Sequence, residues 1–298
     1  MRLRRIVFKL VIPTVIVVTA SLAMGQSVWL PDTTSTMIGL EVWKVDRFEG
    51  SAGSYRKLDP SVASASWFLT AQYPLGARTL LIAEIPFAFL AYKEPRSGWD
   101  SNTGRYYSYI EEESETGFGN PFVGIKFWDP KEPMFVIAGV RLPMMSRNID
   151  RAAYMAQLTD VDRAEAFERD VLSPRLHLGG KFPHESGLLV KFHLGVSWIV
   201  YSGERSELDN DVIWDYGVHT WLHSEYARMG AGITGRYASG TVSAGGYGSG
   251  SIHQFGFVAF FGGGIVQPGF HIRLPLDDDL HRIGVRFTYG VSLLIWPG

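Results

Sequence analysis

The chain of 298 residues contains no cysteine. That excludes a disulfide framework, a thiol nucleophile, a thiolate zinc site and a lipid-modified cysteine. Beyond its first 25 residues it also lacks any run of the roughly 20 uncharged apolar residues that a spanning helix needs. The best stretch, Leu80 to Leu90, is short and carries Glu84 and Pro86. Enzymatic signatures are missing as well: there is no His-Glu-x-x-His, no Gly-x-Ser-x-Gly and no phosphate-cradling P-loop. Gly246-Tyr247-Gly248-Ser249-Gly250 is rich in glycine but lies in a loop, not ahead of a helix. What is present is 46% hydrophobic residues, which excludes disorder, and a surplus of glycine (33) and aromatics (18 Phe, 13 Tyr, 9 Trp) that needs a structural cause.

The N-terminus reads as a secretory signal peptide over 1-25. Arg2, Arg4, Arg5 and Lys9 precede an apolar stretch from Ile6 to Leu22, and Ala23-Met24-Gly25 offers small residues for cleavage before Gln26. The alternative, a membrane anchor, is opposed by Pro13 and by that cleavage pattern. Removing the segment takes away four positive charges and moves the net charge from -2 to -6.

In the remainder, 26-298, apolar residues recur at period two, the mark of strands with one apolar and one polar face. Between 189 and 201, Val190, Phe192, Leu194, Val196, Trp198 and Val200 alternate with Lys191, His193, Gly195, Ser197 and Tyr201. The same test gives twelve strands, at about 37-48, 61-74, 78-93, 117-129, 134-145, 171-183, 187-201, 211-224, 227-239, 251-263, 265-276 and 281-296. Tight turns near 75, 131, 185, 225 and 263 alternate with longer polar connections at 49-60, 94-116, 146-170, 202-210 and 240-250, and a short acidic one at 277-280. This layout predicts an all-β fold: a transmembrane, antiparallel up-and-down β-barrel of about twelve strands, with tight turns in the periplasm and long loops outside. Trp198, Tyr201, Trp214 and Tyr216 fall toward the outer rim, and Tyr73, Phe127, Trp128, Tyr226 and Trp296 toward the inner one. A soluble sandwich or lipocalin-like barrel alternates too, with its apolar face turned inward; the 12 to 16 residues of many of these stretches favour the membrane barrel.

One strand, Gly117-Phe118-Gly119-Asn120-Pro121-Phe122-Val123-Gly124-Ile125-Lys126-Phe127, resembles a glycine/Asn-Pro/Gly-x-Lys-aromatic strand of the outer-membrane transporter family associated with meta-pathway phenol degradation. The resemblance implies an outer-membrane barrel that moves small, rather apolar molecules. The last strand, with Gly290, Leu293, Ile295 and Trp296, is similar to the segment by which the outer-membrane assembly machinery recognises its clients, although Pro297 and Gly298 follow the final aromatic.

Because every second residue of a barrel strand faces the lumen, the polar faces give an expected lining: Lys126, Arg141, Arg175, Lys181, Lys191, Arg236, Arg273 and Arg286 against Glu41, Glu84 and Asp215, with His177, His193, His219 and His271 beside them. A positively biased lumen favours anionic or phenolate solutes. The competing reading is that these charges pair with one another, or with acidic loops folded inward, and brace the wall. Segments 94-116, 146-170, 202-211 and 277-281 together carry net -12. Glu111-Glu112-Glu113-Ser114-Glu115 and Asp277-Asp278-Asp279 are expected either to bind divalent cations at a lipopolysaccharide surface or, more simply, to be solvated loop tips.

The 146-170 connection changes to helical spacing, with Val161, Ala164 and Phe167 at i, i+3 and i+6 behind a capping-box-like Thr159 and Asp162. A short helix there either dips into the barrel mouth and narrows it or stays outside. His223-Ser224-Glu225 invites comparison with outer-membrane lipid hydrolases, yet adjacent strand residues point to opposite faces, so His223 is badly placed to activate Ser224. The expectation is therefore a non-enzymatic barrel without cofactor or metal. Its partners are lipid, lipopolysaccharide, the assembly machinery and a small solute, not nucleic acid. A structural or adhesive surface barrel with a blocked lumen is the alternative.

Overall fold

The computed structural model describes residues 29–30, 34–46, 63–100, 103–129, 131–207, 210–239, 250–278, 280 and 285–297. The expected signal peptide, the 49–60 connection and nearly all of 240–250 lie outside the described residues. The strands are β1 (Met37–Val45), β2 (Ala63–Gly76), β3 (Thr79–Asp100), β4 (Arg105–Phe118), β5 (Phe122–Trp128), β6 (Met134–Arg141), β7 (Val171–Pro183), β8 (Leu188–Tyr201), β9 (Asp211–His223), β10 (Ala227–Ala238), β11 (Ser251–Phe261), β12 (Val266–Pro275) and β13 (Thr288–Ile295). Each pairs antiparallel with its neighbour, and β1 pairs with both β13 and β2, so the sheet closes. β4 and β5 both pair with β3, one along its upper half and one along its lower half, and together make a single stave. The result is a closed barrel of twelve staves. Closure leaves no unpaired strand edge in hydrocarbon, where each unsatisfied backbone group costs several kcal/mol.

The pleat decides what each residue meets. On β1, Met37, Glu41 and Trp43 are buried while Ile38 and Leu40 are exposed. On β9, Asp215, His219 and Trp221 are buried, and Trp214, Val218 and Leu222 are 44%, 56% and 44% exposed. Polar groups turned inward and large apolar groups turned outward are the reverse of a water-soluble barrel. Among the described residues no helix is long and apolar enough to cross a membrane, and the crossing is made by strands. Trp198, Trp214, Tyr73, Phe127 and Tyr226 project outward as expected of interfacial aromatics, whereas Tyr201 turns inward and is buried, and Trp296 packs onto the lumen cluster around Trp221 and Phe260.

Three boundaries differ from the sequence reading. The 94–116 connection is not a loop: β3 and β4 continue past the barrel as a hairpin paired up to Asp100↔Arg105. Its acidic run lies on a strand opposite basic residues. Lys93 meets Glu112 at 2.6 Å, Arg96 meets Glu111 at 3.0 Å and Glu113 at 2.9 Å, and Trp99 packs on Tyr106 with ring centroids 4.7 Å apart. The hydrogen bond from Lys93 holds the exposed Glu112 carboxyl below the usual carboxylate range. Cross-strand pairs of this kind stabilise sheet that composition alone marks as loop. β6 stops at Arg141 because Pro143, which has no N–H for the ladder, follows closely. β13 starts only at Thr288, so Arg286 lies beyond its end.

The outward face yields a stability test. Val218→Arg places a charge in the lipid-facing wall and is expected to cost about 2–4 kcal/mol if it lies near the bilayer midplane. Urea unfolding of the protein in phospholipid vesicles measures this, and an unchanged midpoint would contradict lipid exposure of that face.

Candidate functional site

The segment between β6 and β7 folds back into the barrel. It holds α1 (Asp150–Thr159) and a 3-10 turn over Val161–Phe167, joined at Asp160. α1 begins where Glu115 of β4 accepts hydrogen bonds from the amides of Arg151 (3.0 Å) and Ala152 (2.9 Å), so a wall carboxylate satisfies two of the orphan donors of the helix start. Its small apolar residues, Ala152, Ala153 and Ala156, let the helix lie close against the wall, in one buried cluster with Trp43, Phe68, Leu90 and Tyr92. The three-residue spacing of Val161, Ala164 and Phe167 is the repeat of a 3-10 turn, which is what forms there. The expected capping box does not form. Thr159 donates back to the Met155 carbonyl (2.7 Å), and Asp162 accepts from Trp29 Nε1 (2.9 Å) and Gln254 Nε2 (2.9 Å).

Passage of this segment into the lumen depends on a break in the wall. Between β4 and β5, Gly119, Asn120 and Pro121 leave the strand conformation. Asn120 then acts as a latch: its side-chain oxygen accepts from the amides of Met144 (3.0 Å) and Met145 (2.9 Å), and its side-chain nitrogen donates to the carbonyls of Glu165 and Glu168. Gly119 must lack a side chain, since a Cβ there would fall 2.2 Å from the Ala166 carbonyl oxygen.

At the centre, wall and segment exchange charge. Arg163 reaches Glu41 of β1 (3.1 Å), Glu84 of β3 (2.7 Å) and its neighbour Asp160 (2.5 Å), and its guanidinium lies over the Phe68 ring at 3.4 Å. Asp160 takes Arg273 of β12 at 2.6 Å. Glu165 takes Arg236 of β10 at 2.7 Å and Arg175 of β7 at 2.9 Å. Asp215 of β9 bridges Arg236 (2.8 Å) and Arg175 (3.2 Å), and Arg141 of β6 holds Glu84 at 2.9 Å. All of these groups are buried or nearly so. A charge so placed is stable only with a partner and satisfied hydrogen bonds, which makes the network a single unit.

Toward the tight-turn end the lumen is lined by rings. His177 stacks on His193 and His193 tilts against His219, with centroids 6.2 and 5.5 Å apart, and His271 donates or accepts at Ser292 Oγ (2.7 Å). Lys126 and Lys181 approach the Phe135 ring and Lys191 the Trp221 ring. Trp29 and Leu30, which precede β1, lie inside this half among Met37, Trp221, Val258, Phe260 and Leu294. Trp29 sits edge-on to His219 at 4.4 Å and covers Gly256, where a Cβ would come within 2.3 Å of its ring. The N-terminal segment thus reaches the β6–β7 segment through the Trp29 to Asp162 hydrogen bond.

Of the expected lining residues, Glu41, Glu84, Arg141, Arg175, Asp215, Arg236 and Arg273 converge on the central network, while Lys126, Lys181, Lys191, His193 and His219 lie inward around the ring-lined part. Arg286 is the exception. It is exposed beyond the start of β13, so its inward parity has no wall to act through. Sequence reasoning missed Asn120, Asp160, Asp162, Arg163, Glu165 and Trp29; the available signal was the density of charge, Asp160-Val161-Asp162-Arg163-Ala164-Glu165, inside a stretch of helical spacing. Among the described residues no group of His, Asp and Glu has the geometry to hold a metal ion.

By sequence, no protein-family model and no curated protein matches this chain. By structure, it is similar to an outer membrane channel from Pseudomonas putida F1, with a TM-score of 0.57 at 12% identity over 91% of this chain and 99% of that one. It is also similar to the NanC porin, with a TM-score of 0.50 at 7% identity over 88% and 100%. At such identities the likeness is one of fold: a β-barrel of the bacterial outer membrane.

Replacing Arg163 by Met leaves Glu41 without its segment partner, and breaking a buried pair costs about 3–5 kcal/mol where water is excluded. The expected result is a loosened segment, with trypsin cutting at Arg147, Arg151 or Arg169 in the folded variant and not in the parent protein. Equal resistance of the two would contradict an ionic anchor.

Proposed function

We propose that the barrel passes small solutes across the outer membrane by a narrow path that the 146–170 segment controls. The observation that carries this reading is the double anchorage of that segment, through Arg163 on one side of the lumen and through Asp160 and Glu165 on the other. A plug held by paired charges has an alternative state that a solute can favour by supplying the same charges to the wall; a plug held by apolar packing alone offers no such exchange. Twelve staves fall between eight-stranded barrels filled by side chains and sixteen-stranded open pores, which also fits a gated path. The cationic lining and the sequence resemblance to the meta-pathway transporter family point to small anionic or aromatic solutes. In this reading residues 1–25 export the chain and the C-terminal strand is the handle for the assembly machinery.

The second reading, a structural or adhesive barrel with a blocked lumen, draws on the same anchorage together with Trp29 and Leu30 in the other half. A hydrolytic role has less to draw on, because Ser224 Oγ is engaged with the backbone of Ala227 in the tight turn (3.0 Å). Phospholipase or lipid A deacylase activity lost on Ser224→Ala would overturn the non-enzymatic assignment. Deleting 150–168 discriminates between the other two: in planar bilayers the gated channel gains single-channel conductance severalfold, and unchanged conductance would exclude control by this segment.

A further inference from the structure

The charges that meet the β6–β7 segment are sorted by position. Within the wall, Glu84 is matched by Arg141 at 2.9 Å, and Asp215 cancels one charge of the Arg175 and Arg236 pair that it bridges. What the wall leaves to the segment is therefore one carboxylate, Glu41 on β1, facing two guanidinium charges from β7, β10 and β12. Two donors on the basic side have no hydrogen-bond partner even with the segment in place: Arg273 Nε and Nη2 are buried and unbonded, and this guanidinium lies over the Trp43 ring, 3.9 Å from its centroid.

The segment answers this pattern in kind. Of its groups that enter the central network, the one cation, Arg163, goes to the acidic side, and the carboxylates of Asp160 and Glu165 reach the basic side. It occupies the lumen as a ligand with one positive and several negative groups. A solute that takes its place has to supply the same set, since a ligand shifts a two-state element only through better contacts with one state. A simple anion leaves Glu41 unmatched and a simple cation leaves the arginines unmatched; either way a buried charge lacks its partner.

We propose that the lumen selects zwitterions richer in carboxylate than in cationic groups, an amino dicarboxylate being the smallest example, and that the 146–170 segment closes the path by imitating such a solute. The inference rests on the channel reading above and adds a substrate class to it. The ammonium end turns toward Glu41, and the two carboxylates turn toward the guanidinium groups, Arg273 with its spare donors among them. Opposite charges carried on different staves orient the dipole as it passes, which is the origin of selection among solutes of one size.

The test compares glutamate, glutarate and lysine, which are close in size and differ in charge pattern, in liposomes carrying the 150–168 deletion. The same measurements run on an Arg163→Ala variant of the full chain, which keeps the segment and removes one anchor, in case the deletion does not fold. Potassium chloride conductance of the same preparations tests the channel itself. The expected result is glutamate entering about tenfold faster than glutarate or lysine, the factor for one charge-assisted hydrogen bond gained or lost, with the preference over glutarate abolished by adding Glu41→Gln. Conductance with equal rates for the three solutes, or with glutarate fastest, overturns the zwitterion assignment and leaves the channel standing. Absence of conductance in both variants overturns the channel reading and this inference with it.

Discussion

A charge inside a closed barrel has to find water or an opposite charge, and most of this molecule follows from how that requirement is met. Seven strand residues, Glu41, Glu84, Arg141, Arg175, Asp215, Arg236 and Arg273, put their ionised ends into the lumen because the pleat that turns apolar side chains to lipid turns their neighbours inward. The β6–β7 segment brings four more, and it is the pairing between the two sets that fixes where the segment lies. Neither set is stable alone in a confined space: the wall would hold unmatched guanidinium groups, and the segment would be an acidic loop with little to fold against.

The same requirement explains features that otherwise look like irregularities. The stave formed by β4 and β5 is interrupted at Gly119, Asn120 and Pro121, where an unbroken ladder would leave no room for the segment to cross the rim. Asn120 takes over the hydrogen bonds that the ladder gives up, and Arg141 donates to its backbone carbonyl (2.8 Å) from within the charge network. Glu115 then starts α1 by accepting its first amides, so a residue of the protruding hairpin's base also sets the helix direction. Wall defect, helix start and ionic centre are three parts of one docking arrangement.

Period-two alternation makes the barrel legible from the sequence, because inward and outward residues obey opposite chemistry on every strand; parity alone names nearly all the inward charges of the wall. The hairpin beyond the barrel is hidden because Glu111, Glu112 and Glu113 look like a solvated tip until Lys93 and Arg96 are placed opposite them. Arg286 is misplaced by parity, which says which way a residue points but not whether the strand has begun. The plug is only half legible: its three-residue spacing shows, while α1, with alanines and a buried Gln157, carries a weak apolar stripe. The side-chain contacts that place Asn120 and Trp29 leave no local signal, since the groups they bond lie 24 to 133 residues away, and Arg163, beside Asp160, does not reveal that its wall partners Glu41 and Glu84 lie 122 and 79 residues away.

Control of passage by residues 146–170 inside the lumen can be tested directly because the protein has no cysteine of its own. Asp162 of the segment and Thr234 of the β10 wall meet inside the lumen, with side-chain oxygens 3.3 Å apart. A variant with cysteine at both positions should form an internal disulfide on oxidation, detected by gel mobility without reductant, and its conductance should stay low until reductant is added and then rise. Failure of the pair to cross-link would contradict the placement of the segment, and a conductance indifferent to the bond would contradict its control of passage.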